Sequence, residues 1–263
     1  MNPKRLVHLY LSLTVVLLIS SSTHSQEKLQ QLTTFKNPGE LKLTVNRRDY
    51  NLKNDVGGNF AIENFYPIGW SKDGKFAYYL EPVDEACGCY FGKLVISDLK
   101  NDAVVWRFDY SSEDDEDSNS KKPKSLVALW NANRKLFSAK LSENNIEPHR
   151  PVRVLPFPIS SESDRVTPTL SIERKPLSKA DRIYGNISRA RVQLTSRQNG
   201  KKTVLDQAYA DAKPLYVGIV GYLKSPLESR VAIILVEIYR GYEGPPHVGS
   251  VRIVGASLEK RFQ

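Results

Sequence analysis

Val231-Ala232-Ile233-Ile234-Leu235-Val236-Glu237-Ile238-Tyr239 is the most apolar stretch of the chain outside its N-terminal segment. The run from Val231 to Ile238 is eight residues long, whereas a membrane-spanning helix needs about 20. It therefore reads as a buried strand. Shorter apolar–polar segments recur at Leu41–Val45, Phe76–Glu81, Leu94–Leu99, Val104–Phe108, Thr169–Glu173, Ala190–Thr195 and Val251–Val254. Each is punctuated by Gly, Pro, Asn or Asp, and each reads as a strand. Asp73-Gly74 and Asn199-Gly200 supply residues that reach positive φ cheaply, as a hairpin turn requires. Thirteen tyrosines and many Val, Ile and Thr residues favour strands as well. The expected fold is mainly β, a β-rich α+β domain of two antiparallel meanders with one packed amphipathic helix between them.

That helix is predicted over residues 125–142. Leu126, Leu129, Trp130, Asn133, Phe137 and Leu141 share one face at helical spacing, and Ser125 is placed to cap the start. Trp130 and Phe137 read as core-facing anchors against a sheet. Residues 111–124 precede it with the acidic run Glu113-Asp114-Asp115-Glu116-Asp117, then Lys121, Lys122 and Lys124. The run lacks the alternating ligands and the Gly turn of a calcium loop, so a charged flexible loop is expected. The meanders then occupy 26–110 and 150–263.

An internal repeat links them. Gly69-Trp70-Ser71-Lys72, Lys75-Phe76-Ala77 and Gly92-Lys93-Leu94-Val95-Ile96 have counterparts in Gly221-Tyr222-Leu223-Lys224, Arg230-Val231-Ala232 and Gly249-Ser250-Val251-Arg252-Ile253. Trp70-Ser71-Lys72-Asp73-Gly74-Lys75, Phe76-Ala77-Tyr78 and Ile96-Ser97-Asp98-Leu99 resemble the turn and inner strands of a TolB-type β-propeller blade. The whole chain is similar to a family of predicted secreted bacterial proteins of unknown function. Gly69–Gly74, the helix around Leu126–Leu141, and Val231–Glu237 followed by Gly241-Tyr242-Glu243-Gly244-Pro245 carry that similarity. It implies export and assigns no activity.

The chain has two cysteines, Cys87 and Cys89, separated by Gly88 in a hairpin loop. In an oxidising compartment such thiols form a bridge, bind a soft metal, stay reduced or pair with another chain. A structural disulfide staple is the leading reading. The alternatives are a metal site of Cys87, Cys89 and His247, and thiol redox chemistry. Asp84 and Glu85 beside the pair disfavour a thiolate. In the repeat, the cysteine loop corresponds to Gly241-Tyr242-Glu243-Gly244-Pro245-Pro246-His247. If the meanders face each other, Asp84, Glu85, Tyr242 and Glu243 become candidate binding-loop residues at one end.

Lys4 and Arg5, an apolar run from Leu9 to Ile19 and Ser20–Ser25 have the three parts of a cleavable secretory signal over 1–25. Cleavage would leave 238 of the 263 residues and lower the formal charge from +9 to +7. It would also remove His8 and His24, leaving His149 and His247. The expected product is exported to the periplasm or beyond, with no later transmembrane segment and no cofactor. Its basic residues are scattered, which argues against nucleic acid. Lipase-type, phosphate-loop, dinucleotide and zinc-protease motifs are missing. The leading function is a non-catalytic binding or scaffold module for an unidentified protein or small ligand. The thiol or soft-metal protein is the alternative, and a hydrolase using paired carboxylates is the third reading.

Overall fold

The computed structural model describes residues 40–53, 58–113, 122–149, 151, 153–160, 164–176, 185–210 and 212–259. The expected signal at 1–25 and the acidic stretch Asp114–Asp117 lie outside the described residues. The described chain is mainly β, 51% strand against 11% helix.

Three sheets and a helical layer stack in the order helices, helix-side sheet, central sheet, outer sheet. The helix-side sheet has the order β5-β4-β3-β2-β6. Its strands are β2 (Asn64–Trp70), β3 (Lys75–Glu81), β4 (Phe91–Asp98), β5 (Ala103–Ser111) and β6 (Glu147–Pro148). The central sheet runs β1-β13-β12-β11, formed by β1 (Phe60–Ile62), β11 (Tyr216–Lys224), β12 (Arg230–Tyr239) and β13 (His247–Ser257). The outer sheet runs β10-β9-β8-β7, from β7 (Ile159–Ser160), β8 (Arg165–Arg174), β9 (Ile187–Ser196) and β10 (Gly200–Ala208).

The apolar run is β12, and it is apolar because it is covered on both faces. Val231, Ile233 and Leu235 meet Val166, Ile187, Ala190, Val192 and Leu194 of the outer sheet. Ala232 and Ile234 meet Phe65, Trp70, Phe76, Tyr78 and Val95 of the helix-side sheet. Burying an Ile or Leu side chain is worth roughly 1.5–3 kcal/mol, and this strand delivers that burial in two directions. Among the described residues no helix is long and apolar enough to cross a membrane.

Two expectations need correction. The helix over 125–142 is two helices, α2 (Leu126–Ala132) and α3 (Arg134–Glu143), following the N-terminal α1 (Arg47–Lys53). Asn133 breaks it at φ −107° and ψ 15°, its side-chain amide donating to the Leu129 carbonyl at 3.1 Å. A short polar side chain competes with the helical backbone in this way. The inward face survives the break. Leu126, Leu129, Trp130, Phe137 and Leu141 are all buried against Tyr66, Ile68, Tyr79, Leu94 and Ile96. Ser125 caps the start through the Ala128 N–H.

Leu41–Val45 is the second correction. Leu41 and Val45 are buried while Lys42 and Thr44 are exposed, as in a strand, but the segment joins no sheet. It lies over the central sheet, where Val45 and Tyr50 of α1 cover Tyr216, Val236 and Ile238. Alternation reported one-sided burial here, and strand pairing is a separate matter.

The repeat corresponds to two three-stranded meanders, β2-β3-β4 and β11-β12-β13. Each carries a bulge at the matching place, between Pro67 and Gly69 and between Ile219 and Gly221. Each also receives a crossing backbone there. Trp70 pairs with Glu147 of β6, and Tyr222 bridges to Leu155. Gly69 and Gly221 allow this, since a Cβ on either would meet the carbonyl of Glu147 or Leu155.

Candidate functional site

The β3–β4 and β12–β13 loops meet at one end of the stack. The Tyr242 N–H donates to a Glu85 carboxylate oxygen at 2.7 Å, while the Tyr242 ring is 81% exposed. The turn at Asp84 is held locally, its Oδ1 accepting the N–H groups of Ala86 and Cys87 at 3.3 and 3.2 Å. Asp84, Glu85 and Glu243 are exposed. The structure thus brings Glu85 and Tyr242 together and leaves Glu243 at the tip of its own loop.

Cys87 and Cys89 are joined in a disulfide, their Cα atoms 5.1 Å apart. A carboxylate oxygen of Glu113, just beyond β5, lies within 4.8 Å of both sulfurs. His247 is not part of that group. It is buried at the start of β13, where its Nδ1 accepts the Gly241 N–H at 3.3 Å. The histidine therefore holds the root of the β12–β13 loop, and the bridged sulfurs offer no thiolate for a metal. The expected grouping of Cys87, Cys89 and His247 is replaced by one in which Glu113 is the third member.

Beneath the cysteine loop lies a network that sequence reading missed. Glu81, the last residue of β3, accepts hydroxyl protons from Tyr66 at 2.5 Å and Tyr90 at 2.7 Å, and an Asn64 amide proton at 3.1 Å. The Tyr79 and Tyr90 hydroxyls are 2.8 Å apart, and the Tyr90 N–H donates to Ser112 Oγ at 2.9 Å. Both roots of the loop are clamped by these bonds. Burial first pushes the Tyr66 and Tyr90 hydroxyls well above the usual phenol range, followed by the Glu81 carboxylate for Tyr66 and by the Tyr79 hydroxyl and then Glu81 for Tyr90. For Tyr79, burial again leads. These hydroxyls stay protonated as donors. The sequence signal was present, in tyrosines bracketing a hairpin whose outgoing strand ends in an acid.

A groove of about 330 Å³ opens beside the same loop, lined by Pro82, Val83, Phe91, Lys93, Asp109, Tyr110 and Ser111. Lys93 and Asp109 stand opposite each other on β4 and β5. Asp109 is taken up by Arg107, with Nε and Nη2 at 2.8 and 2.6 Å from its Oδ1. Lys93 therefore remains the cation of the groove, set among the apolar walls of Pro82, Val83 and Phe91. Its charge also reaches the buried Glu63, whose carboxyl is pushed up by burial against the opposing effects of the Val251 N–H and Lys93. Chemically this end can hold a ligand with an apolar body and an acidic group; its bridged cysteines and protonated phenols supply no activated nucleophile.

Compared with protein-family models, curated proteins and solved structures, the chain finds no match.

Proposed function

We propose that the chain is a non-catalytic binding module, exported to the periplasm or the cell exterior, and that it binds through the end where its two long hairpin loops meet. The carrying observation is the Tyr242–Glu85 contact, which joins equivalent loops of two related meanders and leaves a tyrosine ring 81% exposed. Exposed aromatic rings with one polar end suit recognition of mixed apolar and polar ligands. The adjacent groove adds an ammonium group within apolar walls, a pattern typical of small-ligand sites. Small carboxylates with an aromatic or aliphatic body are the ligand class that fits. The hydrolase reading draws no support from the three described grooves, each of which is lined by a single carboxylate: Asp109, Asp49 or Glu40.

The test is amide chemical-shift mapping of the full mature chain against a panel of small aromatic and aliphatic carboxylates. Shifts confined to Phe91, Lys93, Ser111 and Tyr242 are expected, and shifts lost in Lys93→Met would tie them to the ammonium. Shifts centred elsewhere would refute the site. Export is read separately by mass spectrometry of fractionated cells. A product beginning at Gln26 outside the cytoplasm is expected, and an intact cytoplasmic chain contradicts it.

The thiol reading is the second, favoured by the exposure of Cys87. Asp84, whose Oδ1 lies 3.5 Å from the Cys87 sulfur, and Glu113 set negative charge beside the bridge and oppose thiolate formation. Thiol titration with and without a mild dithiol separates the two readings. A bridge that opens and re-forms reversibly supports redox chemistry, and an inert one removes it.

A further inference from the structure

The edges of the three sheets are guarded unequally. β10, the edge of the outer sheet, carries Lys201 and Lys202, and β7 at the other edge has two residues. In the central sheet β1 has three residues, and β11 is bridged by Leu155. The β6 edge of the helix-side sheet is two residues long and ends in Pro148. These are the usual devices against edge-to-edge association: lysine, proline, brevity and cover. β5 differs. Its nine residues, Ala-Val-Val-Trp-Arg-Phe-Asp-Tyr-Ser, contain no lysine and no proline, and Val104 and Val105 are 58% and 46% exposed. A bulge at Val105 bends its beginning, so the regular edge runs from Trp106 to Tyr110.

We propose that this edge pairs with the same edge of a second copy of the chain, antiparallel about a two-fold axis through Phe108. An isologous strand pairing needs a self-complementary sequence, and this register supplies one. Phe108 falls opposite Phe108, Trp106 opposite Tyr110, and Arg107 opposite Asp109 in both directions. Every pair joins residues of equal parity, so side chains meet on the same face of the extended sheet. Arg107 and Asp109 now satisfy one another within the chain at 2.6 Å, both about half exposed. In the dimer they form a ring of four alternating charges without leaving β5. The strand is continuous with the groove, since Asp109, Tyr110 and Ser111 line it. The partner's Val105 would then stand beside Ser111, at the groove's mouth. The pairing does not depend on any ligand binding there.

Sedimentation of the full mature chain over a range of concentrations tests it by charge exchange. The wild type is expected to self-associate to a dimer. Arg107→Asp and Asp109→Arg each place like charges opposite one another and should raise the dimer dissociation constant about tenfold or more. An equimolar mixture of the two variants should form a heterodimer, and the double exchange should restore the homodimer. Loss of the intrachain ion pair alone cannot produce rescue by mixing. A wild type that stays monomeric at the highest attainable concentration overturns the proposal, whether another strand or nothing covers β5. So does a wild-type dimer indifferent to the exchange.

Discussion

Glu81 and Glu237 occupy neighbouring places in the two meanders, each near the end of a middle strand, and each accepts two tyrosine hydroxyls. Glu81 holds Tyr66 and Tyr90 under the helices. Glu237 holds Tyr209 at 2.7 Å and Tyr239 at 2.8 Å on the face toward the outer sheet. The partners differ in charge and cover. Glu81 has neutral donors only and is half-buried, whereas Glu237 is 3% exposed and is met by the Arg252 Nε at 2.6 Å. A repeated pattern has been fitted to two settings, and the deeper one required a cation.

The largest expected effect separates these two residues. Glu237→Ala strips a buried ion pair and two phenol acceptors at once, and should cost about 3–5 kcal/mol in urea unfolding. Glu81→Ala removes only neutral donors' bonds to a half-buried carboxylate and should cost about 1–2 kcal/mol. Equal losses would mean that Arg252 adds nothing.

Gly69→Ala and Gly221→Ala test whether the meanders are alike where they are crossed. A Cβ at either position runs into a carbonyl of the crossing backbone, which cannot rotate aside as a side chain can. Each should cost about 2–3 kcal/mol. A large cost at Gly69 with none at Gly221 would show that only β6 makes a binding crossing, because the Leu155 bridge is a single pair.

The loops give the next contrast. The β3–β4 loop is closed by a disulfide spanning two positions in sequence, and the β12–β13 loop by His247 and the Gly241 backbone. So small a ring removes little entropy from the unfolded chain. The double change Cys87→Ser with Cys89→Ser should cost at most about 1.6 kcal/mol, against about 3 kcal/mol for a 15-residue ring. Calorimetry checks this, and a larger loss would mean that the bridge also holds Glu85 against Tyr242.

What could be read from the sequence was what is local. The burial of Val231–Ile238, the hairpin turns at Gly74 and Gly200, and the inward face of Leu126, Trp130 and Phe137 follow from composition and spacing. The division into three sheets does not, because it depends on which strands share edges. Trp70 and Tyr222 each meet a segment that arrives from beyond the helices. The site divides along the same line. Glu85 and Tyr242 emerged from the repeat, which is a sequence property. Lys93 in its groove did not, since its meaning comes from Asp109 opposite and Arg107 two residues earlier, a matter of register.

Glu63 joins the two meanders, and its effect should be the smallest and opposite in sign. It stands between β1, paired into the central sheet, and β2, the start of the helix-side sheet, and its carboxylate accepts the Val251 N–H at 2.5 Å. Burial raises its pKa above the ordinary glutamate value of 4.5 in spite of that bond and of Lys93. A carboxyl with a raised folded pKa binds its proton more tightly in the folded state than in the unfolded one. Stability is therefore undiminished below about 4.5 and falls as pH rises from there to the folded pKa, above which the loss is constant. Glu63→Gln keeps an oxygen for the Val251 N–H and removes the titration. Its melting temperature should match that of the wild type in acid and exceed it at neutral pH. A variant less stable than the wild type at neutral pH would show that the join uses the charge itself, with Lys93 as its counterpart, and would make the two meanders electrostatically coupled rather than merely packed.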